Sequence, residues 1–153
     1  VDKHKALIEQ IAHEFGLSDR LIKGIVKTES NGNQWAVRYE PNWKYFLTPW
    51  VFRDSLQITE DTERIMQATS WGLMQVMGSV ARELGFKDHL TMLTDPELAI
   101  RYGCLQLIKM SKKYSTIEDC IAAYNAGSAR RLAGGQYYNQ SYVNRVLENM
   151  RNG

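Results

Sequence analysis

Apolar residues recur at helical spacing through most of the chain. Leu7, Ile8, Ile11 and Phe15 share one side of a helix predicted from Asp2 to Phe15, and Gly16 is a natural stop for it. A second helix opens with Ser18 as N-cap and Asp19 in its first turn. It carries Leu21, Ile22, Ile25 and Val26 and ends at the turn-forming run Asn31-Gly32-Asn33. At about 100° per residue, Glu29 falls on the face of Ile22, Ile25 and Val26. The pattern thus places a carboxylate on the side that should meet the core, at a helix end that opens into a loop. Two readings follow. Glu29 forms the wall of a cleft, where desolvation raises its pKa and keeps the proton that a general acid needs. Alternatively, the helix is already ending there and Glu29 faces water.

From Asn31 to Thr59 the periodicity fails. Trp35, Tyr39, Trp43, Tyr45, Phe46, Trp50 and Phe52 crowd together with Pro41 and Pro49. The stretch reads as a loop-rich aromatic insertion with room for a short helix over Asn42 to Leu47, and long irregular loops in compact domains are often functional. Its aromatics divide between lining a carbohydrate groove and anchoring the loop. Helical patterns resume over Thr59–Ala68 and Ser79–Leu84, the latter closed by Gly85. Thr94-Asp95-Pro96-Glu97 is a capping box that starts the longest helix, Asp95 to Tyr114, with Leu98, Tyr102, Leu105 and Ile108 on one side. Thr116 caps a helix that ends at Asn125-Ala126-Gly127, and a last helix runs from Gln140 to Met150. No strand pair stands out, although a minor hairpin within 31–59 remains open. The expected fold is all-α, or α with a minor hairpin, in one domain over residues 1–153.

The totals fit that picture. With 153 residues, 44% apolar and 24% charged, the chain is long enough to bury a core. A net charge of +2 demands no nucleic acid but does not hinder approach to an anionic polymer. Cys104 and Cys120 lie in apolar helices without ligand-spaced neighbours and read as buried free thiols, an interhelical disulfide being the alternative. His4, His13 and His89 are too scattered to suggest a metal site. No apolar run approaches a membrane span, and the N-terminus does not resemble a signal peptide. Asn139-Gln140-Ser141 matches a glycosylation sequon, a pattern common by chance. The elbow of serine hydrolases, the P-loop, the dinucleotide-binding glycines and the zinc-protease helix motif are all absent.

Two further motifs carry chemistry. Gly72-Leu73-Met74-Gln75 offers a single amide that can donate to and accept from a sugar; read alone, it is a surface Gln on a core helix. Ala123-Tyr124-Asn125-Ala126-Gly127 places a phenol and an amide at a helix C-terminus; read alone, it is a C-cap. In order along the chain, Glu29-Ser30, Gly72-Leu73-Met74-Gln75-Val76-Met77, Ala123-Tyr124-Asn125-Ala126-Gly127 and Tyr142-Val143 resemble the soluble lytic transglycosylase domain, whose lysozyme-like fold is related to goose-type lysozyme. The resemblance covers residues 17 to 150. The run Ala36-Val37-Arg38-Tyr39-Glu40-Pro41 in the aromatic loop resembles phage and phage-derived members.

The resemblance implies a lysozyme-like domain with helices around a long central one and a substrate cleft. It implies that Glu29 is the catalytic acid and base. Ser30 would support it or touch the substrate, Gln75 and Met77 would contact the glycan, and Met74 would pack inward. Tyr124 would hydrogen-bond near Glu29, Asn125 would hold the sugar or the local turn, and Tyr142 would complete the cleft. Many members carry a Glu four residues before the Tyr-Val pair, and here that position is Tyr138. The implied partner is the peptidoglycan glycan strand, met at the bacterial cell wall by a monomer that needs no metal or cofactor. One carboxylate would protonate the β-1,4 glycosidic oxygen and then take the proton of the muramoyl 6-hydroxyl, giving a 1,6-anhydro end. Hydrolysis in the goose-type lysozyme manner is the alternative and needs a second carboxylate, for which Glu40, Asp54, Glu60, Asp61 and Glu63 are candidates. A non-catalytic wall-binding module and a chitin-directed protein are the other readings.

Overall fold

The structure, a computed structural model, describes residues 2–153. A short 3-10 turn at Asp2–His4 leads into α1, Lys5–Phe15, which Gly16 ends in the left-handed conformation. Helix α2, Asp19–Ser30, starts where the Ser18 side chain accepts from the Leu21 amide and stops at Asn31, also left-handed. The chain continues through β1 (Val37–Tyr39), α3 (Pro49–Leu56), α4 (Glu60–Gln67), β2 (Thr69–Trp71), β3 (Val76–Met77) and α5 (Gly78–Glu83). A 3-10 turn at Leu90–Thr94 precedes α6 (Pro96–Lys113), α7 (Ile117–Ala126) and α8 (Gln140–Asn152). The fold is mostly helical with one small antiparallel sheet of order β1-β2-β3.

The core joins Ile8 and Ile11 of α1 with Ile22, Ile25 and Val26 of α2, Ile100, Cys104 and Leu107 of α6, Ile121 of α7, and Val143 and Val146 of α8. On α6 the fully buried stripe is Ile100, Gly103, Cys104 and Leu107, while the expected Leu98, Tyr102, Leu105 and Ile108 are only partly covered. The reason is Gly103: a Cβ there would strike the Met74 side chain, so the helix turns its glycine, not its bulkier face, toward the sheet. Both cysteines are free thiols, and burial pushes that of Cys104 up to about 12.

Two expectations about the aromatic insertion need correction. The helix in it is Pro49–Leu56, not Asn42–Leu47. Pro49 occupies the first turn, where its missing N–H costs nothing. The irregular residues upstream are pinned at Leu47 by Gln67, whose Oε1 accepts from the Leu47 amide at 2.8 Å and whose Nε2 donates to the Leu47 carbonyl at 3.0 Å. The hairpin does not lie within 31–59 either. β1 pairs with β2, Val37 opposite Trp71, and the hairpin itself is β2–β3.

Helix α4 is inverted relative to its pattern. Glu63 and Gln67 are fully buried while Ile65 is half-exposed. The buried carboxylate is met by Arg82 of α5 through two bonds, Nε to Oε2 at 2.9 Å and Nη2 to Oε1 at 2.8 Å. Arg82 also donates to the Phe86 and Asp88 carbonyls, and its guanidinium lies 4.1 Å from the Phe52 ring centroid. This polar knot fastens the insertion to the helical body.

Candidate active site

Glu29 occupies the last turn of α2, one turn beyond Ile25 and Val26, which are fully buried. Its side chain is partly buried, and the helix ends at the next residue, Ser30, so the apolar stripe runs out into the turn at Asn31. Helix α8 packs along α2 because Gly24 removes a side chain where Val146 and Met150 press in. Asn149 Nδ2 then donates to Thr28 Oγ1 at 2.9 Å, and Tyr142 Oη donates to Glu29 Oε1 at 2.7 Å. Burial pushes the Glu29 carboxyl above the usual carboxylate range, opposed by the Tyr142 hydrogen bond and by the charges of Arg145 and Arg38. Burial, followed by the adjacent Glu29 charge, holds the Tyr142 and Tyr124 phenols well above their ordinary values, so both remain donors.

The motif Gly72-Leu73-Met74-Gln75 forms the turn between β2 and β3, not a helix end. Gly72 has φ +72°, and a Cβ there would meet the Leu93 carbonyl. Its amide donates to Ala36 O at 2.8 Å. Gln75 is itself left-handed, at φ +49°, a conformation that costs a non-glycine residue energy. Its Nε2 donates to Ala36 O at 2.9 Å and to Gly72 O at 3.0 Å. Both amide protons therefore hold the start of β1 on the turn, and Oε1 remains for a ligand. Met74 is buried, as the family resemblance implied.

The other sequence-selected residues are placed as follows. Ser30 Oγ lies 2.8 Å from Leu73 O and 3.1 Å from Val26 O, linking the end of α2 to the turn. Tyr124 is buried and donates to Met74 O at 2.6 Å, so it bonds the turn beside Glu29 rather than the carboxylate. Asn125 is exposed, and its Oδ1 accepts from Asn139 Nδ2 at 2.9 Å. That Asn139 nitrogen also donates to Ala122 O, so the sequon amide is engaged within the fold. Met77 is partly exposed on β3. Tyr138, at the position where relatives carry Glu, is exposed beneath the Arg130 guanidinium at 5.0 Å.

Glu29, Tyr142, Tyr124, Ser30 and the Gly72–Gln75 turn thus belong to one connected set spanning α2, the hairpin, α7 and α8. A carboxylic acid whose burial favours the protonated form, with one phenol donor beside it, can deliver a proton and take it back. This chain belongs to the transglycosylase SLT domain family. The family model matches residues 6–144 and so contains every residue of that set. No solved structure matches the chain. The family assigns the SLT chain to lytic-transglycosylase-type cleavage of peptidoglycan, and the bacterial cell wall is where it acts. Among the described residues, no helix is long and apolar enough to cross a membrane, and no three His, Cys, Asp or Glu side chains are grouped to hold a metal ion.

The sequence reading missed Arg145 as a neighbour of Glu29. A signal was present: Arg145 follows Tyr142 by three positions, which puts both on one helical face. The insertion aromatics do divide by exposure. Trp43, whose Nε1 donates to Ser79 Oγ at 3.0 Å, together with Phe46 and Phe52, anchors the loop; Trp35, Tyr39, Tyr45 and Trp50 are exposed.

Proposed function

We propose that the chain is a single-domain, monomeric lytic transglycosylase in which Glu29 serves first as acid and then as base. Protonated Glu29 donates to the β-1,4 oxygen between N-acetylmuramic acid and N-acetylglucosamine as the bond to C1 breaks. The carboxylate then removes the proton of the muramoyl 6-hydroxyl. That oxygen attacks C1, closing the 1,6-anhydro ring, and no water is consumed. The Tyr142–Glu29 hydrogen bond within a desolvated helix end is the observation that carries this reading. Burial favours the protonated acid before cleavage, and Tyr142 offers a bond to the anion after it.

Ser30, Gln75, Met77, Tyr124, Asn125 and Tyr142 form the substrate-facing and supporting set. Ser30 and Tyr124 act through the hairpin turn, while Gln75 Oε1, Met77 and Asn125 offer groups to the glycan. A hydrolytic, goose-type course needs a second carboxylate to orient water. Three of the candidates are paired elsewhere, Glu63 with Arg82, Asp54 with Arg53, and Glu60 with Arg53 and Arg64, while Glu40 is held by Arg38 beside β1. Asp61 is exposed in the first turn of α4. These placements favour the single-carboxylate course. The resemblance of the aromatic insertion to phage and phage-derived members supports the reading that the enzyme is of phage type and is delivered to the wall during lysis.

Mass spectrometry of digested peptidoglycan tests the reading. Anhydromuramoyl ends are expected, and their absence in wild-type digests, with reducing ends formed by water uptake, overturns it. A Glu29→Gln protein that clears purified walls as fast as wild type overturns the assignment of Glu29.

A further inference from the structure

Two arginines outside the set above lie on the elements that flank Glu29: Arg38 on β1, whose start is tied to the Gly72–Gln75 turn, and Arg145 on α8, one turn after Tyr142. Direct pairing of Arg38 with Ser70, and of Ser70 with Met77, puts these three side chains in one row on one face of the sheet. The other face is the core face, where Thr69, Trp71 and Val76 are buried. The row containing Arg38 is the open face. The Arg38 side chain is 76% exposed, and only its Nε approaches an anion, Glu40 Oε1 at 2.9 Å. On α8, Arg145 sits three residues after Tyr142, exposed, and makes no ion pair among the described residues. The positive charge of each reaches Glu29.

Two guanidinium charges acting on an acid do not help it hold its proton, because their field favours its ionised form. Nor do they contribute much to stability, since exposed charges are screened and weakly coupled. Their placement suits a ligand anion. Of the two sugars in the proposed substrate, one is a neutral N-acetylhexosamine. The other bears a lactyl ether ending in a carboxyl, free or carrying a peptide that has carboxylates of its own. Guanidinium pairs recognise carboxylates through charge-assisted, often bidentate, bonds.

We infer that Arg38 and Arg145 form a carboxylate-reading clamp that selects the acidic sugar unit of the glycan over neutral N-acetylhexosamine polymers. The inference deepens the proposed function and rests on it for the identity of the polymer. It does not rest on the chemical outcome at Glu29.

Binding is therefore measured on Glu29→Gln protein, which is expected to turn over slowly and carries the uncharged isostere of the protonated acid, with the probes checked for cleavage after each titration. The probes are soluble peptide-bearing glycan strands, the same strands stripped of peptide, stripped strands whose carboxylates are amidated with carbodiimide, and N-acetylglucosamine oligomers. Amidation is expected to weaken binding about tenfold, the size expected of partly screened charge-assisted contacts. Adding Arg38→Gln and Arg145→Gln is expected to weaken binding of charged strands by the same factor and leave the amidated strands and neutral oligomers unchanged. Arg38→Lys with Arg145→Lys should recover part of the loss and its salt dependence. Full response with stripped strands identifies the lactyl carboxylate as the group read; response with peptide-bearing strands alone identifies the stem peptide. Equal effects of the arginine substitutions on charged and amidated strands, or no effect on either, overturn the clamp. Both side chains are exposed, so unchanged melting temperatures should accompany the binding losses. Anhydro-product analysis of the wild type is a separate readout, so a failed clamp is distinguishable from a failed reaction assignment.

Discussion

The phenol of Tyr142 donates to Glu29 Oε1 at 2.7 Å, joining residues 113 positions apart in the chain. The bond depends on how α2 and α8 approach, which Gly24 permits, and on the end of α2 at Asn31. Its chemical effect is directional. A donor to a carboxylate favours the ionised form and so opposes the burial that favours the protonated one. In Tyr142→Phe the donor is gone, and the Glu29 pKa rises further above the carboxylate range. The limb of the pH–rate profile that marks loss of the acid's proton then moves to higher pH. The anion formed after proton donation also loses its partner, so kcat should fall about tenfold to a hundredfold. Rates measured across pH on purified walls, with KM little changed, are the check.

Glu29→Gln should separate stability from activity. Burial raises the native pKa of Glu29 above its ordinary value of 4.5. As pH rises through the window above that value, the unfolded chain releases its proton before the native state does, so the native state loses stability. Below both values the two states are equally protonated and no penalty exists. Removing the carboxyl removes the penalty, while Gln can still accept from Tyr142. The variant should therefore melt higher than wild type at about pH 8, with the difference shrinking toward about pH 4. Activity should fall by about a hundredfold or more. Calorimetric scans at several pH values, together with a turbidity assay, test both halves.

Helix ends were the legible part of the sequence. Ser18, Thr59 and Thr116 each cap the helix the pattern assigns them, because a side-chain oxygen satisfying an orphan amide is a local event; at α6 the cap falls one residue later than the expected capping box, on Asp95, while Thr94 Oγ1 donates to Thr91 O. The sheet was not legible. Strands of three, three and two residues are too short to display alternation, and β1 meets β2 from across the whole insertion. The hairpin turn at Gly72–Gln75 was accordingly mistaken for part of a helix. Glu29 stood out because a helical period can flag a carboxylate on an apolar face. Glu63 did not: an acidic residue in a helix's first turn is ordinary, and its buried partner Arg82 comes from another helix. Arg38 became visible only once strand pairing fixed which face of the sheet it occupies.

The Glu63–Arg82 pair should be costly to break and cheap to replace. Both side chains are fully buried, and Gln67 Nε2 donates to the same carboxylate at 2.7 Å. Arg82→Ala leaves an uncompensated buried charge, an effect of about 3–5 kcal/mol. The double variant Glu63→Met with Arg82→Met removes both charges and should recover most of that loss. Because Gln67 also clasps Leu47, the first region to loosen in Arg82→Ala should be the insertion at 41–58. Denaturant melts give the energies, and limited proteolysis locates the opening.

Gln75 provides the last test, because its two amide protons are committed within the fold. They bond Ala36 O and Gly72 O, and Ala36 O also receives the Gly72 amide. In Gln75→Glu the shape is kept but the donors change with pH. A protonated Glu has one O–H for two carbonyls, and an ionised one has none and repels both. Both carbonyls are part-buried and keep a backbone donor, the Gly72 amide on Ala36 O and the Gln75 amide on Gly72 O, so each side-chain bond lost costs about 0.5–1.5 kcal/mol. The variant should thus be destabilised already at low pH and lose further stability relative to wild type as pH rises through the carboxylate range. Repulsion between the ionised carboxylate and Ala36 O loosens the start of β1, which carries Arg38, so KM for charged glycan strands should rise in the same pH interval. Gln75→Asn keeps the amide on a stem one methylene too short to span both carbonyls and should be destabilised by a pH-independent amount. Parallel melting curves and KM measurements for the two variants distinguish loss of the clasp from loss of a glycan contact, which would raise KM without moving the melting temperature.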